Sequence, residues 1–463
     1  MLFSNTRIKI VFLWMIFFYL FLFPVISQAS YEFDNITNKK RVDKSYIEKN
    51  LKSSGYWNLD FKIHIDNNWS ETKTTYDWCS GSGTWSDPYV IENVTVNGGN
   101  SGPPILIENS DVYFRIKNST VYNSGSGFFP IYEGGIKMVN VTKGTIINNA
   151  AFDNQIGILL YNSENNTILG NTANNNTNLG ILLEKSNNNF LSENIVTHSK
   201  GGLNVYFSNN NTLSGNIAND NTYSGIILEE SNNNLIWGNT ANYNSDSTGI
   251  SLSSSNENIV LLNTIENNSY GISIYLSNKN NISENIAINN KVGGINLYSS
   301  DNNTLSGNTA KNNTYSGIIL EESNNNFLLE NNATHNRVGM DLYSSDNNTI
   351  SGNVMNYNNK SGIDLYSSNN NTISGNIANN NYYGINLTAS NYNDITGNTL
   401  FDNNICYSED ETCIGNTFKN NICIKDEPSE DNWIISGLIG IIIVSIILIG
   451  LSVLYRKFKR KVK

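Results

Sequence analysis

The chain has 463 residues, a formal net charge of −11 and 39% hydrophobic residues, and Asn, Gly, Ser and Thr are abundant. An acidic surface repels phosphate backbones, so we expect no nucleic-acid partner. The composition is too repetitive for a disordered chain and too polar for a membrane bundle, and it favours an elongated all-β protein.

Residues 1–29 are typical of an export signal. Arg7 and Lys9 form a basic start, an apolar run follows, and Ser27-Gln28-Ala29 offers small residues for cleavage. An uncleaved N-terminal anchor is the alternative interpretation. Residues 30–90 lack the periodicity that follows, and we predict that they form an N-terminal cap region.

The region 91–425 is dominated by a repeat with a period of 22–24 residues. Counting its Gly as position zero, the repeat reads G-I-x-L-x-x-S-x-x-N-x-(aliphatic)-x-x-N-x-(small apolar). The copies start at Gly157, Gly180, Gly202, Gly225, Gly249, Gly271, Gly294, Gly317, Gly339, Gly362 and Gly384. A period of this length indicates a solenoid whose units bury their apolar faces by stacking, with regular rungs over 135–400.

The apolar positions of the repeat predict three short strands per rung. Positions +1 and +3 alternate as in a strand with one buried face, and positions +11 and +16 provide two further inward columns. Equivalent strands of successive rungs then pair in parallel. We therefore predict a parallel β-helix.

The polar positions of the repeat predict its corners. Position +6 is Ser, and positions +9 and +14 are Asn in all eleven copies. Asn tolerates left-handed backbone angles and can form ladders from rung to rung, while Gly at zero admits a sharp bend or a positive φ. A leucine-rich repeat is the rival fold, but it carries one Asn ladder and usually a helix per unit, whereas here we predict two ladders and no helix.

The C-terminal part predicts a membrane anchor. An acidic linker at 426–432 precedes an apolar run at 433–454, which is long enough to span a bilayer as a helix. The basic tail at 455–463 is expected to be cytoplasmic, so the repeat region would be displayed outside the cell membrane by one helix. The motif Asn-Asn-Ile-Cys ends at both Cys406 and Cys423; stacked one rung apart, these thiols would form a disulfide.

The repeat also resembles a known family. The run NNTISGN at Asn370–Asn376, together with GINL and GIDL strands, resembles the right-handed parallel β-helix repeats of the NosD-like periplasmic copper-binding proteins and the wider carbohydrate-binding and sugar-hydrolase group. The resemblance covers about Gly135 to Asn398 and implies a right-handed helix with either copper or carbohydrate chemistry. The only histidines are His64, His198 and His335, and the methionines do not cluster, so we predict no metal site and no cofactor.

Candidate functional residues lie on the outward face of the first strand, at positions +2 and +4. The predicted glycan-binding face consists of Tyr275, Tyr298, Tyr343, Tyr366, Asn296 and Asn386. Aromatic rings beside amides suit a sugar chain lying along the axis, although Tyr also favours exposed strands without any ligand. The weak catalytic candidates are Asp341 and Asp364, with Arg337 and Lys360 each four residues before one of them.

Three functions are compatible with these patterns. The first is a non-enzymatic, membrane-anchored surface protein that binds an extracellular polysaccharide or a neighbouring surface protein. The second is a polysaccharide lyase, epimerase or hydrolase acting along the same face. The third is a copper-handling accessory protein, as the resemblance implies.

Overall fold

The computed structural model describes residues 57–127, 132–244 and 247–425. In these residues the chain winds as a helix of parallel strands, and successive turns contribute one strand to each of three long sheets. No helix among the described residues is long and apolar enough to cross a membrane. The predicted signal segment at 1–29, the linker at 426–432, the membrane helix at 433–454 and the tail at 455–463 lie outside the described residues.

Sheet 1 has fifteen strands, all parallel, and contains the predicted first strand of each rung. Its strands are Ile63–Asp66, Ile105–Glu108, Gly134–Val139, Ile156–Tyr161, Leu179–Glu184, Gly201–Tyr206, Ile226–Glu229, Thr248–Ser253, Tyr270–Tyr275, Gly293–Tyr298, Ser316–Glu321, Val338–Tyr343, Ser361–Tyr366, Tyr383–Thr388 and Ile405–Glu409.

Sheet 2 has sixteen strands and carries the second inward column. Its strands are Cys79–Ser80, Tyr89–Glu92, Phe114–Lys117, Gly144–Ile147, Thr167–Leu169, Phe190–Ser192, Thr212–Ser214, Leu235–Trp237, Ile259–Leu261, Asn281–Ser283, Thr304–Ser306, Phe327–Leu329, Thr349–Ser351, Thr372–Ser374, Asp394–Thr396 and Thr417–Lys419. Its first two strands pair antiparallel, and all the later pairs are parallel.

Sheet 3 is divided into groups of seven, three and two strands, joined by single β-bridges. Its strands are Trp57–Leu59, Val94–Asn97, Thr120–Tyr122, Ala150–Phe152, Thr172–Asn174, Ile195–Thr197, Ile217–Asn219, then Thr264–Glu266, Ile286–Ile288, Thr309–Lys311, and finally Thr399–Phe401 and Ile422–Ile424. Three strands of the sheets lie within the region 30–90 that was predicted as a cap, namely Trp57–Leu59, Ile63–Asp66 and Cys79–Ser80, and a fourth, Tyr89–Glu92, begins in it.

One short helix, Trp69–Thr75, packs at the N-terminal end of the solenoid. The indole ring of Trp69 is buried and stacks on the Tyr89 ring, with 5.3 Å between the ring centroids. Its centroid lies 4.8 Å from that of the Phe114 ring. The indole N–H donates to Ser110 Oγ at 2.8 Å. The helix therefore covers the apolar end of the first turns, which a solenoid needs in order to avoid an exposed core. The sequence patterns did not predict this helix.

The predicted inward columns form the core. In the repeat that starts at Gly317, the side chains at +1, +3, +11 and +16 are fully buried, and the same columns are buried in the other repeats. Burying each large aliphatic side chain contributes about 1.5–3 kcal/mol. The Gly column serves a different purpose from the one expected. A Cβ at Gly317 would lie 2.7 Å from the carbonyl oxygen of Gly339 and 2.8 Å from Ala333 Cβ, so close approach of neighbouring rungs, rather than a positive φ, requires Gly.

The two predicted Asn ladders are confirmed. Asn308 donates its backbone N–H and its Nδ2 to Asn331 Oδ1, at 3.0 and 2.9 Å, and Nδ2 also donates to the Ile282 carbonyl at 2.8 Å. A third Asn ladder occupies the corner before each Gly, where Asn313 N–H donates to Asn336 Oδ1 at 2.8 Å. This third ladder is not among the two predicted from the sequence. Three ladders satisfy buried backbone groups along the described solenoid.

The predicted disulfide between Cys406 and Cys423 is present, with the Cα atoms 5.9 Å apart. The reason for expecting it was wrong, because the two thiols do not stack in one column. Cys423 pairs in register with Leu400 in sheet 3, whereas Cys406 lies in the last strand of sheet 1. The bond therefore links two sheets of the last turn. Cys79 and Cys413 are free thiols.

Candidate functional site

The candidate site lies on the outer face of sheet 1, between the strands Tyr270–Tyr275 and Tyr383–Thr388. Because +1 and +3 point into the core, +2 and +4 point outward, and the parallel register aligns them in two columns. In the +2 column, Asp341 pairs with Asp364, which pairs with Asn386. The expected alignment of the two aspartates on neighbouring rungs is observed.

The tyrosines of the +4 column form two pairs rather than one ladder. The rings of Tyr275 and Tyr298 stack 5.5 Å apart, and those of Tyr343 and Tyr366 stack 5.1 Å apart with only 3° between their planes. Glu321 lies between the pairs in the same column. Parallel rings at this separation turn one face toward each other, so each pair presents its edges, its hydroxyl groups and its outer faces to solvent.

The two aspartates have different surroundings. Asp364 is 7% exposed and accepts hydrogen bonds from the Lys360 ammonium and from Asn386 Nδ2, the latter at 2.8 Å. Asp341 accepts a bond from Ser316 Oγ at 3.3 Å. Burial raises the pKa of Asp341, and the neighbouring Asp364 charge raises it further.

The two neighbouring carboxyl groups therefore have different partners. Asp364 is bonded to a cation and an amide, whereas burial and the Asp364 charge favour the neutral form of Asp341. Adjacent strands in a sheet lie about 4.8 Å apart, close to the spacing of carboxyl groups in glycosidases that retain configuration, about 5–5.5 Å. The pair can therefore supply one proton donor and one carboxylate.

The other predicted site residues differ in how closely they contact the two aspartates. Arg337 is exposed, and its charge is the weakest of the influences on the pKa of Asp341. Asn296 is partly exposed between Ser273 and Ile319, away from the aspartates. Asn386 instead joins the Asp364 cluster. Sequence reasoning missed the serines that bond the aspartates, although Ser precedes the repeat Gly at both 316 and 361.

The described residues do not fit a copper ion. They contain no group of three or more His, Cys, Asp or Glu side chains that could hold a metal. His64 bonds to Glu108 at 2.8 Å, and the ring of His335 packs 5.2 Å from that of Tyr357. Met138, Met340 and Met355, whose thioethers would suit a soft metal, are fully buried in the core.

The geometry defines a parallel β-helix protein, and comparison with known families adds that the helix is right-handed. The family of periplasmic copper-binding proteins (NosD) matches residues 65–291 and 240–340, and the right-handed β-helix region family matches residues 293–400. The chain therefore belongs to the NosD-like family of β-helix proteins. A search of curated proteins found no match.

Several solved structures are similar to this chain. The periplasmic alginate epimerase AlgG is 16% identical over 81% of this chain and 84% of its own, with a TM-score of 0.40. The A-module of the Azotobacter vinelandii mannuronan C-5 epimerase AlgE4 is 15% identical over 73% of this chain and 89% of its own, also with a TM-score of 0.40. Tailspike protein 2 of Escherichia coli O157:H7 bacteriophage CAB120 is 13% identical over 53% and 38%, with a TM-score of 0.37.

Proposed function

We propose that this protein binds a neutral polysaccharide along the outer face of sheet 1, from Tyr275 to Asn386. The observation that carries the proposal is the arrangement of two stacked tyrosine pairs beside a column of carboxylates and amides on one continuous face. Sugar rings combine apolar faces with a rim of hydroxyl groups, which such columns can contact and bond.

The charges of the site favour a neutral chain over a uronic acid polymer. Glu321, Asp341 and Asp364 face the proposed ligand, and the Lys360 ammonium is already paired with Asp364. The net charge of −11 adds repulsion against a polyanion. Hydroxyl groups, in contrast, can donate to these carboxylates, and such charge-assisted bonds are stronger than neutral ones.

A glycan array probes this proposal with a matched pair of variants. Replacing both Tyr343 and Tyr366 with Ala should lower affinity for a bound neutral glycan at least about ten-fold, because stacked aromatic contacts contribute about 0.5–1.5 kcal/mol each beyond their buried area. The control replaces Tyr223 and Tyr315, which are 55% and 50% exposed but lie outside the columns. Equal losses in both variants, or binding of uronans alone, would contradict the proposal.

The second candidate function is hydrolysis of a glycan at the aspartates. The raised pKa of Asp341 beside the cation-bound Asp364 favours it, since Asp341 would donate the proton and Asp364 would attack or stabilise the sugar. A lyase or epimerase would need a cation to hold a substrate carboxylate; Lys360 is paired with Asp364, and the exposed Arg337 is the cation that could serve. Hydrolysis is favoured instead by the raised pKa of Asp341, which suits a proton donor better than a base.

Reducing-end release from any glycan that binds the array tests this candidate. Asp341→Asn and Asp364→Asn should each abolish release but weaken glycan binding by no more than about ten-fold, because a neutral hydrogen bond replaces a charge-assisted one while the side chain keeps its shape. Asp111→Asn, at an exposed position far from the site, serves as the control. If the unmodified protein binds a glycan but releases no reducing ends from it, the hydrolytic candidate is refuted and the binding function stands alone.

The same proposal places this face outside the cell. The support is the predicted signal at 1–29 and the predicted span at 433–454. Protease treatment of intact cells should remove the repeat region and leave a membrane-bound fragment, whereas full protection would oppose this location. The other expected partner is a neighbouring surface protein. Such a protein should crosslink to Tyr343 or Tyr366, and added glycans should not reduce the crosslinking.

A further inference from the structure

A cleft lies on the outer face of sheet 1 near its N-terminal end, several rungs from the proposed glycan face. Its volume is about 350 Å³, within the range of small-molecule sites. The floor is the outer face of four successive strands; the first three contribute Leu106, Val139 and Leu159, and the fourth contributes Glu184. Tyr132 and Glu133 form one wall.

That wall is held in place by Gln155. Its Oε1 accepts hydrogen bonds from the backbone N–H groups of Gly127 and Glu133, at 2.9 and 2.8 Å. Tyr132 packs against Leu159, Leu179 and their neighbours, a small apolar cluster on the outside of the sheet. The wall is therefore a packed part of the protein.

Glu184 lines the cleft and is only 2% exposed. Its Oε1 has no hydrogen-bond partner among the described residues. Burial raises the pKa of this carboxyl group, and the charge of Lys185 opposes the shift. A buried acceptor without a donor is unfavourable, and more so when it is charged, so a ligand that donates a hydrogen bond to it would recover that energy.

We propose that this cleft binds a small primary amine, with the ammonium group donating to Glu184 and the apolar stem lying on Leu106, Val139 and Leu159. The charges lining the cleft favour a cation, since Glu108, Glu133 and Glu184 outnumber Lys137. Lys137 is already engaged with Glu133 at 3.4 Å.

The aromatic lining supports the same ligand. Tyr132 and Tyr161 both border the cleft, and the faces of phenol rings attract cations. The protein already uses Tyr161 in this way, because Lys185 Nζ lies 5.6 Å from its ring centroid. Lys185 itself is exposed, and the ammonium of a ligand would be the first cation bonded to Glu184 Oε1.

Calorimetric titration of the full chain with n-butylammonium tests this site, with 1-butanol as the neutral probe of equal length. We expect saturable binding with a Kd of about 1 mM, which is reasonable for so small a ligand. Butanol should bind at least about ten-fold more weakly, because it lacks the charge-assisted bond. Equal binding of the two probes, or no saturable binding of butylammonium at tens of millimolar, would overturn the proposal.

Three variants localise the binding. Glu184→Gln should weaken butylammonium binding about ten-fold or more, whereas Glu229→Gln, two rungs along the same column and exposed, should leave it unchanged. Lys137→Met should strengthen binding, since it removes the competing cation. An unchanged affinity in Glu184→Gln, or a weaker one in Lys137→Met, would show that the amine binds elsewhere.

Discussion

Replacing Asn308 with Ala would break one rung of an Asn ladder in the middle of the solenoid. Asn308 is fully buried, and its Oδ1 accepts the Asn285 backbone N–H at 3.0 Å while its Nδ2 donates to the Ile282 carbonyl at 2.8 Å. The variant removes the partners of both backbone groups. Each buried polar group left without a partner costs about 1–3 kcal/mol, so we expect about 2–6 kcal/mol of destabilisation.

The assay has to resolve local stability, because solenoids lose cooperativity along their length. Hydrogen exchange followed by mass spectrometry should report faster exchange in peptides spanning 280–335, with a smaller effect in rungs far from the substitution. The control is Asn359→Ala, an exposed position in the same type of repeat, where we expect a change within about 0.5 kcal/mol. A loss below about 0.5 kcal/mol at Asn308, or an equal loss at Asn359, would refute the role given to the ladder.

Three further predictions concern the core, the disulfide and the aspartates. Gly317→Ala should destabilise by about 1–3 kcal/mol in chemical denaturation, because the new Cβ would meet the carbonyl of Gly339. Replacing Cys406 and Cys423 together with Ser opens a loop of 17 residues, which predicts a loss of about 3 kcal/mol confined to the last turns and measurable by exchange there. Asp341→Asn should raise the denaturation midpoint at pH 7. The folded-state pKa of Asp341 lies above its unfolded value, so ionisation lowers stability as pH rises through that pKa; the advantage of Asn should vanish below about pH 3.9.

The fold was largely predictable because its determinants repeat. A side chain such as Ile318 or Leu328 occupies a column that ten other repeats fill with similar residues, so the period and the alternation identified inward positions without any long-range information. The third Asn ladder was predictable too, because position +19 is Asn in every copy except the one with Ser199, and the variation in length falls between this column and the next Gly. Asn313 and Asn336 occupy this position in successive repeats and are equivalent in space.

The site was less predictable, because it depends on which side chains become neighbours on successive rungs and on how deeply each is buried. The alignment of Asp341 with Asp364 followed from counting positions, yet the shielding that raises the pKa of Asp341 did not. Glu184 shows the same limit more strongly. It occupies an outward position, but the packed wall near Tyr132 buries it, and no periodic pattern encodes a contact made by an insertion. The predicted register of Cys423 failed for a different reason: Cys406 and Cys423 are only 17 residues apart, less than one repeat, so the residue one rung from Cys423 is Leu400.

The register between rungs also determines how this surface can change. The segment GIILEESNNN occurs at both Gly225 and Gly317, and Glu229 and Glu321 therefore stand in one column four rungs apart, about 19 Å along the axis. Duplication of whole repeats therefore places the same surface residues at a constant spacing along the axis and leaves the corner residues unchanged. A polymer with repeating units would meet the same contact several times, and each contact after the first would form at high effective concentration. On the proposed function, the length of the solenoid would set avidity, while the chemistry of a single turn would set which polymer is bound.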